Sequence, residues 1–403
     1  MKTEIEFIAA GGATSPRGFQ AGATYAGIKQ KTEDSLDLAV LSSQVPCRAA
    51  GMFTTNRIKS APVVLSQQRI KSGRAAAVVV NSGCANAGTG EAGLADAADM
   101  AAVAAKSIGL AAEDVLVAST GVIGQPLPMA LIRAGIERIV LSPDGGHELA
   151  RAMMTTDTVP KETAVAVRAG NFVVGGVAKG AGMIHPNLAT MLCFLTTDAA
   201  VELGFLRDVL AKVVAGSLNM VSIDGDTSPS DTVLIMANGL AENEPIAYGS
   251  QLADVFQQAL ERVCVYLARC IAADGEGASK LIEVTVSRAP SVAEARLAAR
   301  TVVSSPLVKA AMHGGNPNWG RIVAAVGRSG ATVVESKIDL YIGQVCLLKA
   351  GVPLPFDEPS LAQSMDGEEV CVNLNLNLGN DSATAWGCDL SEEYVKINSQ
   401  YTT

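Results

Sequence analysis

The chain has 403 residues, a net charge of −9 and no long basic run. That length exceeds one ordinary core, so two lobes are expected, and the acidic balance argues against a nucleic-acid partner, which needs a basic surface. Hydrophobic residues make up 49% of the chain but aromatics only 4%, so Ala, Val, Leu and Ile must fill the interior. No run of about 18 apolar residues offers a membrane span.

The first residues, Met1-Lys-Thr-Glu-Ile-Glu6, lack the apolar stretch of a signal peptide, and a cytoplasmic protein is expected. Residues 75–80 read as a buried strand, followed by a polar Gly-rich loop over 81–90 and an Ala-rich helix over 91–108. A short strand over 115–118 runs into Ser119-Thr120-Gly121, and a helix starts after Pro126 and Pro128. Residues 163–168 and 172–178 flank Ala-Gly-Asn as a hairpin. A Gly-rich turn from Lys179 then leads into a strand over 190–195. Helical patterns cover 201–222 and 250–272, with a strand over 232–237 between them. Strands are predicted over 282–287, 332–346 and 370–378, and a short helix over 305–312 opens with Ser-Pro. In 370–378, Val372, Leu374, Leu376 and Leu378 alternate with Asn373, Asn375 and Asn377, a period of two that buries one face. The alternation of strands and helices predicts a mixed α/β (α+β) sandwich of two intertwined lobes.

The eight cysteines (47, 84, 193, 264, 270, 346, 371 and 388) include no CxxC pair and read as small buried hydrophobes. His147, His185 and His313 have no metal-ligand spacing to one another or to cysteine, so no metal is expected. Gly88 to Gly93 matches G-x-G-x-x-G, but it lies too far from residue 80 for the tight turn of a dinucleotide site. Asp224, Asp226 and Asp231 lack the glycine and terminal Glu of a calcium loop and read as a structural loop. The turn-rich segment from His313 to Arg321 could floor a site, with His313 available as a base.

Thr190 follows Ala189 at the head of a strand. A threonine so placed can attack its own preceding carbonyl and, once the chain is cut, carry its own base, because an α-amine titrates near pH 8. Local sequence also permits a plain strand start. Thr120 and Gly121 set a hydroxyl beside a backbone N–H at a strand end, as an oxyanion hole does, or as a capped turn does. Lys179 can clamp a carboxylate, and Glu276, between two glycines, can meet an ammonium group. The hydroxyl-rich Met154-Thr-Thr-Asp-Thr158 could line a polar pocket.

Eight segments in order carry a resemblance over nearly the whole chain. They are Val80-Asn-Ser-Gly-Cys-Ala-Asn86, Ser119-Thr-Gly-Val-Ile-Gly124, Met154 to Thr158, Lys179 through Leu192, Ser222-Ile-Asp-Gly-Asp-Thr227, Asp274-Gly-Glu-Gly277, His313 to Arg321 and Tyr394-Val-Lys-Ile-Asn398. Together they resemble the bifunctional ornithine acetyltransferase/N-acetylglutamate synthase family of arginine biosynthesis. The resemblance implies an N-terminal-nucleophile-type sandwich that cuts itself between Ala189 and Thr190. The products would be an α chain of residues 1–189 and a β chain of 190–403, assembled as an α2β2 heterotetramer.

It further implies a ping-pong transfer of acetyl from N-acetylornithine through Thr190 to glutamate, with Thr120 and Gly121 stabilising the oxyanion. Substrate contacts carried over by position are Thr156, Lys179, Thr190, Glu276, Asn398 and Thr403. No resident cofactor or metal is implied, and whether acetyl-CoA also serves as a co-substrate stays open. Two other readings remain: an N-terminal-nucleophile aminopeptidase or amidase, in which water resolves the acyl-enzyme, and a non-catalytic binding protein, whose chain would stay intact.

Overall fold

The computed structural model describes residues 5–29, 35–185 and 191–400. Two β-sheets with helices packed on them make a mixed α/β architecture. The larger sheet has nine strands among the described residues. Eight run in the order Ile5–Phe7, Lys161–Val167, Phe172–Lys179, Leu192–Thr197, Thr232–Ala237, Leu38–Phe53, Arg74–Cys84 and Val115–Val122, and Phe19–Thr24 pairs with Leu38–Phe53. The smaller sheet orders Val352–Pro353, Val345–Lys349, Asp339–Ile342, Glu369–Asn375, Leu281–Ala289, Asp381–Cys388 and Val221–Ser222.

Helix Ala253–Ala273 joins the sheets. Its buried residues recur at helical spacing (Val255, Phe256, Ala259, Leu260, Val263, Cys264, Leu267, Ala268, Ile271), a stripe wide enough to be covered on more than one side. It packs on strands Lys161–Val167 and Phe172–Lys179 of one sheet and on Leu281–Ala289 and Asp381–Cys388 of the other. One apolar cluster therefore runs through both lobes, from Ile5 and Phe172 to Leu340 and Trp386. On the far strands of the large sheet, Met100, Ala101 and Ala104 of helix Gly90–Ile108 and Ile132 and Ile136 of helix Met129–Ile136 cover Val40, Val79 and Val117. The small residues of the first helix let it lie close to the strands. The eight cysteines are unpaired, and Cys47, Cys84, Cys193, Cys264 and Cys388 are buried. No described helix is long and apolar enough to cross a membrane.

Several expected elements have different bounds. The strand expected at 75–80 continues to Cys84, because its polar end pairs in register with Val115–Val122: Asn81 faces Ser119, Ser82 faces Thr120 and Gly83 faces Gly121. The helix expected over 201–222 is Leu203–Gly216. Ser217, at φ −130° and ψ −88°, breaks it, and a 3₁₀ turn and the strand Val221–Ser222 follow. The single strand expected over 332–346 is instead a 3₁₀ turn at Glu335–Lys337 and a hairpin of Asp339–Ile342 with Val345–Lys349, turning at Gly343 with φ 57°. The strand expected to reach 378 stops at Asn375, since Asn377 takes a left-handed φ of 53° and leaves the ladder. The turn-rich 313–321 segment runs into a helix, Trp319–Gly327.

Candidate active site

One cleft of about 140 Å³ collects most of the expected residues: Thr120, Gly121, Thr156, Lys179, Glu276 and Asn398 all line it. Ala189, Thr190 and Thr403 lie outside the described residues. The described residues that follow Thr190 are Met191, which is buried, and Leu192, which pairs with Lys179 across antiparallel strands. Leu192, the strand partner of Lys179, is two residues after Thr190 in the sequence.

Thr120 and Gly121 are brought to the cleft by the parallel pair of strands Arg74–Cys84 and Val115–Val122. The chains come so close here that a Cβ on Gly121 would lie 2.4 Å from the carbonyl carbon of Gly83, and Gly121 has φ +124°. Only glycine fits such a backbone contact at that φ. Thr120 is 4% exposed, and its hydroxyl oxygen lies 3.5 Å from Lys179 Nζ.

Lys179 is itself buried. Its ammonium donates to Thr155 Oγ1 at 2.8 Å and stands 3.9 Å from the Asp157 carboxylate. Burial lowers its pKa from the ordinary lysine value, with Lys161 adding to the effect and Asp157 opposing it. Asp157 organises this wall. It accepts from Lys161 Nζ at 2.7 Å, Gly180 N at 2.6 Å and Thr155 N at 3.0 Å. Burial alone would raise its pKa, but Lys179 and Lys161 outweigh burial and hold the carboxyl well below the usual range. Lys161, equally buried, also donates to Asp274 at the end of helix Ala253–Ala273.

The cleft lining also includes acidic residues, Glu276, Asp224 and Asp226. Glu276 is fixed by its N–H to Ala181 O at 2.8 Å and accepts from Asn398 Nδ2 at 2.7 Å. Gly182 lies against this carboxylate: a Cβ there would come within 2.4 Å of it and would displace the Glu276 side chain. Asp224 belongs to the loop itself, accepting from Met183 N and Ile184 N at 2.5 and 2.9 Å. Asp226 and Tyr394 line the cleft beside it. The cleft thus carries a buried cation, Lys179, and a carboxylate, Glu276, in one lining.

His313 does not line the cleft. Its Nδ1 lies 2.7 Å from Asp389, which also takes Ser279 N and Lys280 N. It buttresses the loop after Glu276 and is no floor of the site. The sequence reading missed Lys161 and Asp157 as a unit, although their i, i+4 spacing with opposite charges was visible. It also missed Tyr394 as a lining residue.

A hydroxyl and a backbone N–H at a strand end thus share one cleft with a buried lysine, and the chain is an acyltransferase. It belongs to the ArgJ family, whose pattern matches residues 20–403. The arginine biosynthesis bifunctional protein ArgJ of Dehalococcoides mccartyi (strain CBDB1) is 52% identical over 405 residues, covering 100% of both chains. The protein of the same name from Symbiobacterium thermophilum is 51% identical, over 98% of this chain and 99% of its own. Among solved structures, arginine biosynthesis bifunctional protein argJ from Bacillus halodurans superposes with a TM-score of 0.51 at 42% identity, matching 52% of this chain and 98% of that one.

Proposed function

We propose that the chain is a glutamate N-acetyltransferase of arginine biosynthesis that moves acetyl from N2-acetylornithine to glutamate through an acetyl-Thr190 enzyme. Thr190 Oγ first attacks the carbonyl of Ala189, and breaking of the carbon–nitrogen bond frees the Thr190 α-amine; water then opens the resulting ester, releasing the Ala189 carboxylate and restoring the Thr190 hydroxyl. That amine then serves as the base that takes the hydroxyl proton as Thr190 adds to the acetyl carbonyl of the donor. Thr120 Oγ1–H and Gly121 N–H donate to the oxyanion, and the proton passes to the departing nitrogen of ornithine. Glutamate enters the same cleft and accepts the acetyl group. Lys179 holds the α-carboxylate, Glu276 and Asn398 meet the δ-ammonium of ornithine, and Thr156 and Thr403 are the further substrate contacts.

The observation that carries this reading is the pairing of Lys179 with Leu192, together with the contact of Lys179 with Thr155 and its closeness to Thr120. It sets the carboxylate-holding cation beside both the oxyanion donors and the strand that begins after Thr190. The solved relative adds support: its whole chain corresponds to about half of this one, the share left in the longer piece by a cut before Thr190. No resident cofactor takes part, and acetyl-CoA would enter only as an alternative acetyl donor. The assembly proposed is an α2β2 heterotetramer in the cytoplasm.

The test is Thr190→Ala. It is expected to give one uncut polypeptide without acetyl transfer from N-acetylornithine to glutamate. Two fragments from this variant would refute the nucleophile assignment, and free acetate as the sole product of the unmodified enzyme would favour a hydrolase. Thiol release from acetyl-CoA in the presence of glutamate reports the bifunctional activity.

A further inference from the structure

Lys161 is buried beside the cleft but is not among the residues that line it. Its Nζ donates to Asp157 Oδ1 at 2.7 Å, to Asp274 Oδ2 at 2.5 Å and to Val159 O at 3.4 Å, so the three N–H groups of the ammonium are all engaged. The side chains of Lys161, Asp157 and Asp274 are 1%, 0% and 6% exposed. Lys161 opens strand Lys161–Val167 and pairs with Ala178, the residue before Lys179.

The two carboxylates hold different parts of the cleft. Asp157 accepts from Gly180 N at 2.6 Å and stands 3.9 Å from Lys179 Nζ, so it fixes the cation. Asp274 caps the end of helix Ala253–Ala273, its N–H donating to Cys270 O at 3.1 Å, and precedes Glu276 by two residues. Gly275 between them packs so closely that a Cβ would lie 2.6 Å from Cys388 Sγ, which leaves this link little play. Asp274 also accepts from Thr158 N at 3.0 Å and from the Thr158 hydroxyl. One ammonium therefore joins the residue that fixes Lys179 to the residue from which Glu276 is carried. Taking these charges out of water is costly, and apolar side chains often serve stability as well. What a fully engaged ionic network adds is a single geometry.

We propose that Lys161 is a positioning residue that sets the spacing between Lys179 and Glu276 and thereby selects the chain length of the diamino-acid substrate. The inference rests on the reading of Lys179 as holder of the α-carboxylate and Glu276 as partner of the δ-ammonium. A substrate that bridges a fixed cation and a fixed carboxylate is measured by the methylenes between its own two charges. One methylene more or fewer leaves a charge displaced from its partner, in a cleft where an unpaired polar group is unfavourable. Without Lys161, Asp157 and Asp274 lose the ammonium they share and face each other as like charges. The Glu276 segment then loses its set distance from Lys179.

The experiment compares the unmodified full chain with Lys161→Met and Asp274→Asn. The first variant removes the ammonium and keeps an unbranched side chain. The second keeps both buried lysines beside Asp157 and weakens only the link to the Glu276 segment. Each protein is assayed for acetyl transfer to glutamate from N2-acetylornithine, from its longer homologue N2-acetyllysine and from its shorter homologue N2-acetyl-2,4-diaminobutyrate, with melting temperature and intact mass recorded alongside. The unmodified enzyme is expected to prefer N2-acetylornithine in kcat/KM by at least about tenfold over either homologue. In both variants that preference is expected to shrink to about threefold or less, through a higher KM for N2-acetylornithine with kcat within about threefold. An unchanged preference in a folded variant overturns the proposal, and so does an unmodified enzyme that takes all the donors alike. If Lys161→Met alone fails to fold, Asp274→Asn decides; loss of folding in both would make the network a support of the fold and overturn the proposal. An unmodified enzyme that transfers acetyl to glutamate from none of the donors would instead bring down the proposed function.

Discussion

Replacing Asp157 by Asn isolates the charge that holds the lysine wall together. The carboxylate is buried and takes Lys161 at 2.7 Å, Gly180 N at 2.6 Å and Thr155 N at 3.0 Å. An amide keeps the shape and one acceptor oxygen but removes the negative charge between two buried ammonium groups. Stranding a buried charge costs about 3–5 kcal/mol. Lys161 retains Asp274, so the lower end, about 3 kcal/mol, is expected.

The folded Asp157 titrates well below its usual 3.8, with burial opposing and Lys179 and Lys161 outweighing it. Its stabilisation is therefore complete above pH 4 and drains away as the pH falls from there toward the depressed folded value. Denaturant unfolding at pH 7 should show the full loss. Below pH 4 the gap between Asp157→Asn and the unmodified protein should narrow. A loss under about 1 kcal/mol at pH 7, within the range of an exposed pair, or a gap that widens in acid, would refute the reasoning.

Gly121→Ala sets a Cβ 2.4 Å from Gly83 at φ +124°; about 1–3 kcal/mol of strain and a fall in kcat of about 10²–10³ are expected, and an unchanged melting temperature and rate would remove the close approach from the site. Thr120→Ala should slow self-cleavage and turnover by about 10²–10³, followed by intact mass over time and by acetyl transfer; equal rates would exclude its hydroxyl as a donor. Glu276→Gln keeps the Asn398 contact but not the charge, so KM for N-acetylornithine should rise about tenfold or more with kcat little changed. An unaltered KM would mean the ammonium binds elsewhere.

The site was legible because its residues sit in short motifs that keep their chemistry without tertiary context: Ser119-Thr120-Gly121, Lys179-Gly180 and Asp274-Gly275-Glu276-Gly277. That Thr120, Lys179 and Glu276 meet is a property of sheet order, which local periodicity does not encode. Strand Val115–Val122 stands at one edge of the large sheet, five positions away from Phe172–Lys179 in the strand order. Elements failed where one side chain or dihedral overrode a run of compatible residues, as at Ser217, Gly343 and Asn377. The period-two alternation at 370–375 succeeded because one face of that strand rests on the core, with Val370, Val372 and Leu374 buried. Asp231, read with Asp224 and Asp226 as a structural loop, is buried where the sequence gives no sign of burial.

The proposed division at Ala189–Thr190 does not divide the architecture. Strands Leu192–Thr197 and Thr232–Ala237 are the two strands of the large sheet that come from the downstream piece, and both lie in its middle. On one side Leu192–Thr197 pairs over six positions with Phe172–Lys179, and on the other Thr232–Ala237 pairs over six with Leu38–Phe53; both neighbours belong to the upstream piece. Each ladder hydrogen bond contributes about 1 kcal/mol net. Leu192, Phe194 and Leu195, all at most 1% exposed, add about 1.5–3 kcal/mol apiece. Freeing two pieces gains only about 4–15 kcal/mol of translational and rotational freedom, less than these contacts sum to before the shared core around helix Ala253–Ala273 is counted. A cut before Thr190 therefore leaves the pieces interlocked, and they should melt in one transition and fail to exchange with labelled pieces under native conditions. Exchange without unfolding would mean that the central strands are not held as their pairing requires.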